Sequence, residues 1–288
     1  MPNIYFTIFE LIIYIQLAIC IRHAWNHRPA NLLRLFFGVA FGILLEIATI
    51  RQLHAYTYGQ FWVMVLDVPL CIGVGWGCII YSAMEFSDAS SLPYWTRPVL
   101  DGLLAINIDL AMDAVAIRFG FWDWGPPLTA NHYFGVPYAN FWAWFWVVLF
   151  FSLGHRLLAR RTDWVGKYLS APMALLVGLV GVLGTNYLIS FHIPFDYHWL
   201  TAAILLFCAL LFVFSLKPRF YITSAPALVF WVPFLTHVYL LISGGTSGIF
   251  MQTPFLLAMG VLMLGIELAL HRRSIGEILQ PLIKKATA

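Results

Sequence analysis

Three carboxylates fall within one apolar stretch, RPVLDGLLAINIDLAMDAVAIRFG, at Asp101, Asp109 and Asp113. An aspartate near a bilayer centre costs about 2.5 to 3.5 kcal/mol on insertion scales, so a helix carrying Asp109 and Asp113 together is expected to turn both into an interior cavity. Their i, i+4 spacing puts them on one helical face, about 6 Å apart along the axis. Two buried carboxyls side by side cannot both ionise, so such a pair holds a proton that one member can donate. Two further acids are candidates for the same level, in the outer half of the membrane. Glu46 shares a stripe with Gly38 and Gly42 in GVAFGILLEIATIR, where small residues let helices approach closely. Asp67 lies beside Pro69, whose missing N–H frees a carbonyl that a neighbour or cavity must satisfy.

The elements that position these acids are membrane helices. Of 288 residues 61% are hydrophobic and 10% charged, against about 25% charged in a soluble domain, and the mean hydropathy is +0.83. An all-α bundle is expected, one integral membrane domain over 1–288, with about nine spans near 4–21, 33–50, 60–85, 98–118, 138–157, 169–190, 198–215, 222–242 and 250–270. Of the 16 Lys and Arg residues 14 fall on alternate sides of these spans, leaving Arg51 and Arg118 opposite. The positive-inside rule then puts the N-terminus outside and the C-terminus in the cytoplasm of a multi-pass cell-membrane protein. The net charge of +3 follows from this bias and carries no nucleic-acid reading. MPNIYFTIFELII has neither a basic segment nor a small-residue cleavage site, which argues against a removable signal peptide. The four cysteines form no CxxC pair and read as small buried hydrophobes.

Other charged residues have structural readings. Asp101 is four residues from Arg97 and Glu267 four from His271, so both read as interfacial pairs. Glu10 stands alone in the first span and can reach the surface. Arg118, five residues beyond Asp113, either snorkels to the headgroups or holds a carboxylate with its planar fork. The connection FGFWDWGPPLTANHYFGVPYANFWAWFW is aromatic, glycine- and proline-rich, and polar at Asp123, Asn131, His132 and Asn140. Part of it is an interfacial belt, and its length suits a lid over a cavity. His54, His132, His192, Asp196 and His198 lie on the same side, but their spacing matches no strong metal signature.

DAVAIRFGFWDW, Asp113 to Trp124, followed by YFGVPYANFWAW, Tyr133 to Trp144, resembles the paired motif of the membrane-bound carotenoid biosynthesis family that includes carotenoid 1,2-hydratase of the bisanhydrobacterioruberin hydratase type. That motif runs Asp-Pro-Val-Ala into Arg-x-Gly-x-Trp-x-Trp, then Tyr-Tyr-Gly-Val-Pro and Asn-Phe-x-Gly-Trp. Glu46 and VPLCIGVGW, Val68 to Trp76, sit where the family has a glutamate-bearing helix and a Val-Pro-Leu helix. Ala114 replaces the proline, Ala143 replaces the glycine, and Asp67 is additional, so this is a divergent member whose substrate can differ more readily than its fold.

The resemblance implies an acyclic isoprenoid or carotenoid substrate taken from the bilayer and water addition without a cofactor or metal. Hydrating a terminal trisubstituted alkene needs a proton on the less substituted carbon, a tertiary cation, and water on that cation. Asp113 is the expected acid, with Asp109 or Glu46 as the ionised partner. Trp122, Trp124, Tyr133 and Trp144 are candidates to steady the cation, and Asn140 to orient water. Asp67 and Arg118 complete the candidate substrate-binding set. Two other classes stay open. An intramembrane prenyltransferase would use Asn107-x-Asp109-x-x-x-Asp113, but needs a second acidic cluster for magnesium diphosphate. A lipid or proton-coupled transporter or binding protein would use the buried carboxylates as proton carriers. A retinal protein is excluded by the absence of lysine from the spans.

Overall fold

A backbone in hydrocarbon must satisfy its own hydrogen bonds, and the long apolar runs of this chain do so as helices. The structure, a computed structural model, describes residues 3–27, 29–54, 56–125, 132–219, 227–272 and 274–276. It is 81% helical. The helices are α1 (Ile4–His27), α2 (Pro29–Leu53), α3 (Leu70–Asp88), α4 (Arg97–Phe119), α5 (Tyr138–Leu158), α6 (Trp164–His192), α7 (His198–Ser215), α8 (Ala227–Thr246), the single turn α9 (Ile249–Gln252) and α10 (Pro254–Leu270). Six of the nine expected spans, in α1, α2, α3, α5, α6 and α7, are long and apolar enough to cross a membrane. The aspartate-bearing α4 is not among them.

Strands occur only as two-residue pieces among the described residues. Strand β1 (Thr57–Tyr58) pairs with β4 (Trp122–Asp123), stitching the α2–α3 connection to the α4–α5 connection. Hairpins β2–β3 (Met64–Val65, Val68–Pro69) and β5–β6 (His132–Tyr133, Val136–Pro137) each end in Val-Pro and run straight into a helix. Pro69 and Pro137 cap α3 and α5 in extended conformation, a position where a missing N–H costs nothing. The third span is therefore corrected: 60–69 is loop and hairpin, and the helix begins at Leu70. Leu66 and Phe134 hold positive φ at the two hairpin tips, as tight two-residue turns require.

Close packing of α2 on α3 uses glycines of both helices. A Cβ on Gly42 would lie 2.6 Å from the Trp76 Cβ and 3.0 Å from the Gly73 carbonyl, and one on Gly38 would lie 3.2 Å from the Gly77 Cα. The Gly38/Gly42 stripe thus meets a Gly73/Gly77 stripe of the same spacing.

At the end of the bundle away from the hairpins, Arg34, Arg97, Arg156, Arg160, Arg161 and Lys167 surround one cleft. Arg28, Arg273, Lys284 and Lys285 lie outside the described residues. Asp101 is corrected here. It is fully buried, accepts from Ser152 Oγ at 2.5 Å and lies 3.4 Å from Arg156, while Arg97 pairs with Asp88 at 2.9 Å. Arg156 needs Asp101 because it is itself buried, and a buried guanidinium requires carboxylates. Glu267 does meet His271, at 3.5 Å, but both are buried between helices, and Asn107 Nδ2 donates to Glu267 Oε1 at 2.9 Å. Glu10 is likewise buried and accepts from the backbone N–H of Trp62 at 3.1 Å. Among the cysteines, Cys20, Cys71 and Cys78 are buried and Cys208 is exposed.

Candidate functional site

One turn separates Asp109 from Asp113 on α4, and α5 presents Asn140 opposite both. The amide nitrogen of Asn140 donates to Asp113 Oδ2 at 2.6 Å and to Asp109 Oδ2 at 3.1 Å. An amide NH2 carries two hydrogens, so one side chain can bridge the pair. Asp109 is fully buried behind this bridge. Asp113 lines a cavity of about 580 Å³, and its Oδ1 is buried without a protein hydrogen-bond partner.

Glu46 faces the same cavity from α2. Every contact it makes is with a donor: Trp76 Nε1 at 2.7 Å on Oε1, Tyr58 OH at 2.7 Å on Oε2, and Tyr56 OH, also on Oε2. Three donors converging on one carboxyl suit its ionised form, which only accepts. Burial first, then the Glu46 carboxylate, pushes both phenols well above their usual range, so the tyrosines remain donors. The positions follow from local structure. Tyr56 and Tyr58 are two residues apart at the start of a strand, and the period of two aims both the same way. The glycine contact between α2 and α3 brings the indole of Trp76 to Glu46.

The cavity walls are aromatic. Trp76 and Trp144 meet with ring centroids 4.3 Å apart, Tyr56 and Trp124 at 4.6 Å, and Trp122 sits above Tyr58 through the β1–β4 pair. Phe9, Ile13 and Thr236 close the far side from α1 and α8. A second, larger chamber of about 1310 Å³ adjoins the first and shares Glu46, Tyr56, Trp76, Trp124, Asn140 and Trp144 with it. Asn186 of α6 is buried in its wall, with Oδ1 lacking a protein partner.

Of the expected site residues, Glu46, Asp113, Trp122, Trp124, Asn140 and Trp144 line one cavity, with Asp109 directly behind. Three others lie elsewhere. Asp67 is exposed at the tip of the β2–β3 hairpin, because the apolar run before it is a turn and not a span. Arg118 is exposed and donates to the Ala114 carbonyl at 2.5 Å and the Phe134 carbonyl at 3.0 Å. Five residues at about 100° each place it roughly 140° round α4 from Asp113, where it clamps the helix end to a hairpin tip. Tyr133 donates to the Leu110 carbonyl at 3.0 Å and packs edge-on against Phe141. The expected lid is made in part by Trp122 and Trp124. Residues 126–131, including Asn131, lie outside the described residues. Tyr56, Tyr58, Trp76 and Asn186 were not among the expected site residues. The alternation of Tyr56 and Tyr58 and the GxxxG spacing of Gly73 and Gly77 were the available signals.

The family model for carotenoid biosynthesis proteins matches residues 3–211, well over half of the chain, and the chain belongs to that family. No curated protein and no solved structure matches it. The matched range carries α1 to α6 and most of α7, hence every acid of the cavity. Thr236 of α8, which closes it, lies beyond.

Proposed function

We propose that this carotenoid biosynthesis protein adds water to the terminal double bond of an acyclic carotenoid or related isoprenoid. The observation that carries the reading is Asp113. Its Oδ2 is held by Asn140, the residue lines an aromatic cavity, and a second carboxyl lies behind it, so that the pair retains a proton beside that cavity. The proton passes from Asp113 to the less substituted alkene carbon, the π electrons form the new C–H bond, and a tertiary cation remains. Trp76, Trp122, Trp124 and Trp144 offer π faces to that cation, and ionised Glu46 offers a full negative charge. Water adds through a lone pair to form the C–O bond. Its extra proton goes to Glu46 and returns to Asp113 across the cavity, so the cycle consumes no acid. Asn140, committed to the two aspartates, holds the acid in place. Asn186, in the wall of the adjoining chamber and not of the acidic cavity, has a buried acceptor still open and is the side chain that supplies the water from that side.

The family and the apolar helices favour a hydrophobic substrate inside a membrane over magnesium diphosphate chemistry. Expression in a host that makes an acyclic carotenoid tests this reading. The expected pigment is heavier by one water per hydrated end. A pigment profile unchanged by the chain, for every acyclic carotenoid supplied, contradicts it.

A further inference from the structure

A carotenoid extended along its whole polyene is too long to lie within one cavity between helices, so the chain beyond the reacting end must lie elsewhere. The second chamber adjoins the cavity, and Glu46, Tyr56, Trp76, Trp124, Asn140 and Trp144 line both. Its inner walls are Leu45, Ala143, Val147 and Ile189, apolar side chains from α2, α5 and α6. Its rim is Leu53, Ser190, Phe191 and Phe195, of which the last three are exposed. They sit at the C-terminal ends of α2 and α6 and just after α6, on flanks where the neighbouring Leu188 and Tyr187 are also exposed. An acidic cavity thus adjoins a largely apolar chamber whose outer lining residues lie at the ends of α2 and α6 and on the β5–β6 hairpin.

We propose, on the basis of the hydratase reading above, that this second chamber is the passage in which the chain of a linear isoprenoid lies, its terminal isopropylidene group at Asp113 and its remainder leaving between α2 and α6 into the bilayer. A lateral opening suits a substrate dissolved in lipid, which never has to enter water. The geometry also sets a length rule: a ligand short enough to fit in the acidic cavity leaves the rim empty, whereas a long one covers it.

Thiol protection tests this in the full-length protein in lipid nanodiscs. With Cys208 replaced, Ala143→Cys and Ser190→Cys are made separately and labelled with a small methanethiosulfonate, with Thr162→Cys, exposed in the α5–α6 connection, as the reference. Lycopene is expected to slow labelling at Ala143→Cys and Ser190→Cys by more than about tenfold, while Thr162→Cys is unchanged. The ten-carbon alkene dimethyloctene, ending in the same isopropylidene group, is expected to leave Ser190→Cys open. Equal labelling with and without lycopene at both positions overturns the passage, as does protection of Ser190→Cys by the short alkene. Hydration by wild-type protein without thiol protection sinks the passage alone. Protection without hydration retains the passage and sinks the hydratase chemistry.

Discussion

The division of labour among the three acids makes different demands of each. Asp113→Asn keeps nearly the volume and the Asn140 contact but has no transferable proton. Hydration is expected to fall by at least about 100-fold while the protein still reaches the membrane folded. Glu46→Gln leaves one oxygen to accept from the tyrosines and places an NH2 against donors, so both activity and stability should drop, the latter read as a lower detergent melting temperature. Asn186→Leu is expected to spare protonation but lose the held water. The cation then sheds a proton, and product analysis should show alkene with a shifted double bond in place of alcohol; an unchanged product ratio argues against Asn186 as the water's seat. The Asp109–Asp113 pair was legible in the sequence because helical spacing alone places i and i+4 on one face. The partners of Glu46 were not: Tyr56 and Tyr58 come from the connection after α2, and Trp76 reaches Glu46 only through the glycine contact of α2 with α3. Arg118 was expected in the substrate-binding set although its angle on α4 differs from that of the acids, and it donates to the Ala114 and Phe134 carbonyls.

Helix contacts and hairpins convert these residues into a site. Gly42→Val would drive a side chain into Trp76 and Gly73, pushing α2 from α3 and withdrawing Glu46 from the indole N–H. The expected result is lower thermal stability together with lost hydration. Unaffected thermal stability and activity in Gly42→Val contradict the role given to this contact. Hydropathy misplaced the third span because FWVMVLDVPL is apolar apart from Asp67, while the Leu66–Asp67 turn and Pro69 cap end any helix there. At the other end of the molecule Asp163 caps α6, accepting from Gly166 N–H at 3.1 Å. The Arg161 guanidinium first, then that N–H, hold its carboxyl down at about 2, below its ordinary 3.8. A depressed carboxyl stabilises the fold above about pH 4, and that contribution is lost as pH falls through about 2. The protection of the Gly166 amide, its exchange rate relative to that of an unstructured amide at the same pH, should therefore fall at low pH in wild type and be low already at neutral pH in Asp163→Ala.

The whole molecule is asymmetric from end to end: hairpins and the acidic cavity at one end, a cleft of arginines at the other. The basic bias along the sequence anticipated that polarity, since loops on alternate sides of the spans collect on one face once the helices are antiparallel. With native cysteines replaced, Asp67→Cys is expected to react with an impermeant thiol reagent from outside the cell and Thr162→Cys only after the membrane is opened; the reverse pattern inverts the topology. What hydropathy left undecided was how the last helices contribute, because α8 and α10 bury Thr236, His237 and Glu267 against α1 and α4 through contacts with no local signature. The central claim is that Asp113 protonates carbon and water supplies oxygen. Purified protein incubated with lycopene in deuterium oxide measures both. The account predicts an alcohol bearing one non-exchangeable deuterium beside the new C–O bond, absent with Asp113→Asn. Alcohol formed without that deuterium, or formed equally by Asp113→Asn, contradicts it.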